Sequence, residues 1–196
     1  AGVESVVGGL AREGSRPPGL VSWHALALWP ELAAAYDHVV ALDPPVVGWG
    51  EALLESLPAA GVSAYAHLAW GEAEREFALR VAEYELDLRA GMASLWRSLR
   101  DCGGGAAGEE LVLLLRGDGR YPRSPLVAAR MMRVMCELDL AVLDGSDGGY
   151  ACRMLEGVRT DLMRSPAARA YGDRLVRIRR LLGVPAPEQP AQPAAA

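Results

Sequence analysis

The stretch HVVALDPP, residues 38–45, decides how this chain is read. An apolar, β-branched run that ends on an acid and stops at two prolines is a short strand with a carboxylate at its tip. Nucleotide hydrolases hold a metal ion on an acid so placed, and Asp43 is thus either a catalytic carboxylate or a strand cap. In such enzymes a glutamate follows the acid and a separate phosphate loop carries a lysine. Here Pro44 follows, and all 20 basic residues are arginine. Without lysine, a phosphate loop of that type, a Schiff-base site and a lysine-adenylation site are all excluded. Asp43 is therefore expected to cap the strand, hydrogen-bonded to loop amides, and not to bind metal.

Around this strand the first half alternates. GLVSW (19–23) leads into the helical ALALWPELAAAY, HVVALD leads into GWGEALLESL, and VSAYAHLAW (62–70) leads into GEAEREFALRVAEYEL. The pattern predicts βαβαβ, a small parallel sheet of degenerate helicase-like type. Glu72, Glu76 and Glu83 recur at helical spacing and are expected to form a solvated face. The opening VESVVGGLA is helix-like and is assigned, within residues 1–18, to the end of a truncated upstream element. The first residues lack an initiating Met, a basic leader and an apolar signal core, so a piece of a longer cytoplasmic protein is expected.

From about Leu88 the pattern turns helical. Met92, Leu95, Trp96 and Leu99 fall on one face of RAGMASLWRSLRDC. GGGAAG (103–108) is expected to be a flexible break, and GEELVLLLRGDG a short helix closed by glycines. Ser124 as N-cap and Pro125 in the first turn start a longer helix, RSPLVAARMMRVMCELDL. LAVLDGSDGGYACRML reads as a hairpin. Short helix, longer helix and hairpin follow the order of a winged helix. A second Ser-Pro pair, Ser165 and Pro166, opens a last helix with Tyr171, Leu175, Ile178 and Leu182 on its inner stripe. The fold class is therefore α/β, or α+β overall. A small α/β domain over 19–88 precedes a winged-helix-like domain over 89–183, and a disordered Pro/Ala tail covers 184–196.

Most chemistries find no residues here. Cys102, Cys136 and Cys152 are an odd number without CxxC spacing, so free thiols are expected, with no disulfide frame or zinc site. His24, His38 and His67 stand apart in sequence, and Ser22 and Ser63 lack a nucleophile elbow. No apolar run approaches the length of a membrane-spanning helix. No catalytic residue, metal ligand or cofactor is assigned.

Charge carries the remaining signal. Within the net charge of −5, residues 1–100 hold 7 Arg against 13 acids, whereas residues 116–180 hold 13 Arg against 8 acids. Arg120 and Arg123 flank the entry to the longer helix, Arg130 and Arg133 lie on it, Arg153 sits on the hairpin, and Arg177 and Arg180 on the last helix. Guanidinium forks there suit phosphate oxygens or an acidic peptide. Salt bridges to Glu137 and Asp173 are the plainer use of the same groups. Tyr121, Tyr150 and Tyr171 are the only aromatics of this half, so contact with DNA would be mainly electrostatic.

Four ordered blocks, HVVALDPP, AHLAWGEAEREFAL, LRGDGRYPRSPLVAARMMRVMCELDLAVLD and RTDLMRSPAARAY, resemble the C-terminal region of the RecJ family, bacterial single-strand-specific 5′ to 3′ DNA exonucleases. The resemblance spans roughly residues 20–182. It implies a parent enzyme of recombination and repair whose upstream core, with an Asp-His-His motif, hydrolyses the phosphodiester using Mn²⁺ or Mg²⁺. No adjacent histidines occur here, so the fragment itself is expected to be non-catalytic. The resemblance also implies single-stranded DNA, the acidic tail of single-stranded-DNA-binding protein and the upstream core as partners. The arginines named above are the candidate contacts. Alternatives are a free-standing winged-helix regulator reading duplex DNA, a purely structural packing module, and, last, a degenerate hydrolase dependent on Asp43.

Overall fold

A computed structural model describes residues 18–62, 64–146, 149–155 and 160–184. The expected opening helix, Ser63 and the Pro/Ala tail beyond Val184 lie outside these residues. The chain forms two compact units, divided between Gly71 and Glu72. The structure is mixed helix and strand, and no described helix is long and apolar enough to cross a membrane.

Unit 1 contains α1 (Trp23–Leu28), a 3-10 turn (Pro30–Ala33), β1 (His38–Ala41), α2 (Gly50–Ser56) and β2 (Tyr65–Leu68). β1 and β2 pair in parallel, His38 opposite Tyr65 and Ala41 opposite Leu68. Leu26, Ala33, Ala41, Leu54, Leu57 and Val62 form the core, with Trp23 and Trp70 meeting edge to face at its margin. The third strand expected over GLVSW is not formed. Ser22 Oγ accepts the amide of Ala25, which starts a helix at Trp23, and Pro30 follows its end. Among the described residues the sheet therefore has two strands instead of three. Pro45 packs so closely on Gly50 that a side chain there would meet the proline Cβ, which fixes how the chain turns from β1 into α2.

Unit 2 runs α3 (Glu72–Leu86), α4 (Arg89–Asp101), β3 (Gly105–Ala107), α5 (Gly108–Arg116), α6 (Pro125–Glu137), β4 (Ala141–Ser146), β5 (Gly149–Met154), a 3-10 turn (Leu162–Arg164) and α7 (Pro166–Leu181). The glycine cluster read as a flexible break is a turn and a strand. Gly103 and Gly104 take positive φ after α4, and Gly105–Ala107 then pairs antiparallel with β5, Gly105 opposite Arg153. β5 lies between β3 and β4. Both predicted Ser-Pro starts form: Ser124 Oγ accepts from Val127 N, and Ser165 Oγ from Ala168 N.

α6 is the centre of the unit. Val127, Ala128, Arg130, Met131, Met132, Val134 and Met135 are all buried on it, and Val127, Met131, Met132, Val134 and Met135 share a core with Met92, Leu95 and Leu99 of α4. α3 belongs here and not with the sheet, although the sequence groups it with residues 19–88. Glu83 Oε1 accepts from Arg179 Nη2 at 2.8 Å, and Glu85 Oε2 from Arg130 Nη1 at 3.0 Å. Those two ion pairs bind α3 to α7 and α6. Glu83 is thus a partner of α7 and not part of a purely solvated face.

Candidate functional site

Asp43, the residue that opened the question of catalysis, is exposed and makes no side-chain hydrogen bond to any described residue. It lies in a bend two residues beyond the end of β1, so the expected hydrogen-bonded cap is not formed. No group of three or more metal-binding side chains occurs among the described residues. A shallow depression in unit 1 is lined by Glu51, Leu54, Glu55, Ala66 and Leu68, acids and apolar groups without a nucleophile and base in reach of each other. All three cysteines are free thiols. Burial pushes the Cys136 and Cys152 thiols above their ordinary range, Cys152 also through Cys136, so neither is poised as a thiolate nucleophile.

The seven candidate arginines separate into two groups. Arg123 is turned into the fold: Nε donates to Leu115 O at 2.8 Å and Nη2 to Leu114 O at 2.7 Å, closing the last carbonyls of α5. Arg130 is buried, and its Nη1 donates both to Glu85 O and to the Glu85 carboxylate, with the guanidinium 5.7 Å from the Tyr171 ring centre. Both are anion-binding candidates on sequence, yet each directs donors to partners inside the protein. Arg133 is exposed but donates to Glu137 Oε1 at 2.9 Å, one helical turn on.

Arg120, Arg153, Arg177 and Arg180 are exposed. Arg120 lies over the Tyr121 ring, 5.6 Å from its centre. On α7 the exposed positions include Arg174, Val176, Arg177, Arg180 and Leu181, with Asp173 the single acid of that helix. These positions share an outer face because Leu175, Ile178 and Leu182 point inward. None of Arg174, Arg177 or Arg180 has a partner among the described residues. Arg174 completes this stripe. It was legible as 174, 177, 180 spacing on one helix.

Glu137 holds this helix in place. It sits at the end of α6 and accepts from Ser165 Oγ at 2.6 Å, Ala167 N at 2.9 Å and Arg133 Nε. A carboxylate there satisfies the Ala167 amide at the start of α7 and meets the positive end of its dipole. The Ser165 hydroxyl, the Ala167 amide and Arg133 hold its pKa at about 2, below the ordinary 4.5. A group with a depressed folded pKa contributes stability that is complete above the unfolded value and is lost as pH falls through the folded one. Melts followed by circular dichroism are therefore expected to show wild-type stability falling between pH 4.5 and about 2 more steeply than that of Glu137→Gln. Parallel curves would contradict this anchor.

Comparison with protein-family models, with curated proteins and with solved structures found no match to this chain.

Proposed function

We propose that the chain is a non-catalytic C-terminal accessory module of a RecJ-like single-strand-specific exonuclease. It serves DNA recombination and repair in the cytoplasm by holding single-stranded DNA or the acidic tail of single-stranded-DNA-binding protein. Hydrolysis, with Mn²⁺ or Mg²⁺, falls to an upstream core of the same polypeptide. The observation that carries this reading is the outer face of α7. Arg174, Arg177 and Arg180 stand exposed there beside Val176 and Leu181. Guanidinium groups without a partner among the described residues keep their forks for phosphate or carboxylate oxygens, and the neighbouring aliphatics suit a peptide that mixes acids with apolar residues. Arg120 and Arg153 extend the set to the loop before α6 and to the hairpin.

Two further features support the fold side of the proposal. Unit 2 follows the order α4, β3, α5, α6, β4, β5, with β5 central in its sheet, which is the order of a winged helix. The parallel pair β1 and β2, joined through α2, keeps the outline of a degenerate helicase-like sheet.

A duplex-reading regulator is the weaker alternative because α6, the helix that would enter the major groove, exposes Pro125, Leu126, Ala129 and Arg133 as its open positions in the first three turns. Its one exposed cation is already paired with Glu137. A purely structural packing module remains the bland rival.

Fluorescence anisotropy with a single-stranded oligonucleotide, a duplex and an acidic peptide separates the three. The proposal expects binding to the single strand or the peptide that weakens steadily with added salt. Sequence-selective duplex binding would favour the regulator, and no binding to any probe would favour the packing role.

A further inference from the structure

The parallel register places His38 opposite Tyr65 and Val40 opposite His67, so the two histidines are diagonal neighbours on one face of the sheet. Both are exposed, His38 Nδ1 lies 2.9 Å from His67 Nε2, and the Tyr65 ring stacks on His38 at 5.6 Å between centres. Two neutral imidazoles so placed share one hydrogen: one nitrogen donates it and the other accepts it.

We propose that His38 and His67 form a cross-strand chelate for a divalent transition-metal ion of the imidazole-preferring class, with Cu²⁺ the strongest binder, that clamps β1 to β2. Two imidazole nitrogens, each about 2.0–2.1 Å from a metal and at a right angle to each other, lie about 2.9 Å apart. That is the spacing of neighbouring ligands in the tetragonal geometry Cu²⁺ prefers, and Cu²⁺ heads the affinity order of first-row divalent ions. The ion displaces the shared hydrogen and sits to one side of the line between the two nitrogens. The ring that carried it there moves the proton to its other nitrogen through solvent, so both imidazoles stay neutral and no net proton is released. The rings tilt until both lone pairs converge on the metal, a motion open to exposed side chains, and water fills the remaining positions.

The clamp has a physical use in this unit. Among the described residues its sheet is one pair of four-residue strands, and six buried residues make its core. Isolated two-stranded arrangements and small cores are marginal, and metal clips are a common remedy. The ligands lie 29 positions apart, so one ion closes a long loop of chain.

The test uses the full chain in a Cys102→Ser background, which removes the exposed thiol. Added Cu²⁺ is expected to give one equivalent of bound ion whose electron paramagnetic resonance spectrum shows coupling to two nitrogens, together with an upward shift of the melting temperature. Both signals should be lost in His67→Ala and His38→Ala and kept in His24→Ala. His67→Gln repeats the test with a polar side chain if the alanine variant folds poorly. A spectrum without nitrogen coupling in the parent, or one unchanged in the His67 variants, would overturn the assignment.

Discussion

Met131→Ala is expected to cost unit 2 about 2–5 kcal/mol of stability, the range for truncating a buried methionine or leucine in a well-packed core. Met131 is 0% exposed, and its sulfur rests against Gly91 of α4, where an added Cβ would lie 3.2 Å from it. Its neighbours cannot collapse into the gap at no cost. Leu95 and Leu99 are themselves fully buried, and Val134 and Met135 hold the next turn of α6. Most of the lost volume should therefore persist as a cavity. Urea unfolding followed by far-ultraviolet circular dichroism measures the loss. A cost below about 1 kcal/mol would show that α6 is not the centre of the unit.

Arg130→Ala is expected to cost about 2–3 kcal/mol while leaving affinity for anions unchanged. Removing the guanidinium strips Glu85 O and the Glu85 carboxylate of a donor that reaches both from 3.0 Å. The side chain of Arg130 is 10% exposed and that of Glu85 36%, so water reaches the abandoned carboxylate and holds the cost below that of a fully buried pair. Arg130→Met keeps an aliphatic stem at this buried position and should recover part of the loss. The pairing of a stability cost with an unaltered binding curve is the informative outcome. Weaker anion binding in a variant of wild-type stability would return Arg130 to the binding face.

Much of the fold was legible because its signals are local. A Ser-Pro pair states a helix start through one hydroxyl and one fixed φ, and both Ser124 and Ser165 do so. The hairpin of β4 and β5 follows from two short apolar runs about a glycine-rich turn. GLVSW misled because Val and Trp favour strands, whereas Ser22, immediately before the first helical residue Trp23, decides the backbone by capping. The strand Gly105–Ala107 was illegible for the opposite reason. Its residues have no strand preference, and they are extended because β5 offers them a ladder.

The site was read less fully, and the reason is distance along the chain. Arg130 meets Glu85 from 45 positions away, and Arg179 meets Glu83 from 96. No spacing rule joins partners so remote, so α3 was grouped with the sheet that precedes it, and Arg130 with the free arginines. His38 and His67 likewise meet only once the register of two parallel strands is fixed. By contrast, the exposure of Arg177 and Arg180 follows from the helical period set by Leu175, Ile178 and Leu182.

Reversing charge at two positions, Arg177→Glu with Arg180→Glu, tests the central claim most directly, through the salt dependence of binding to a single-stranded oligonucleotide or an acidic peptide. The proposal predicts at least about tenfold weaker binding and, for the oligonucleotide, a salt slope smaller by about 1.4, about 0.7 for each single-strand phosphate contact removed, with the melting temperature unchanged. Affinity and slope equal to wild type in a folded double variant would contradict it.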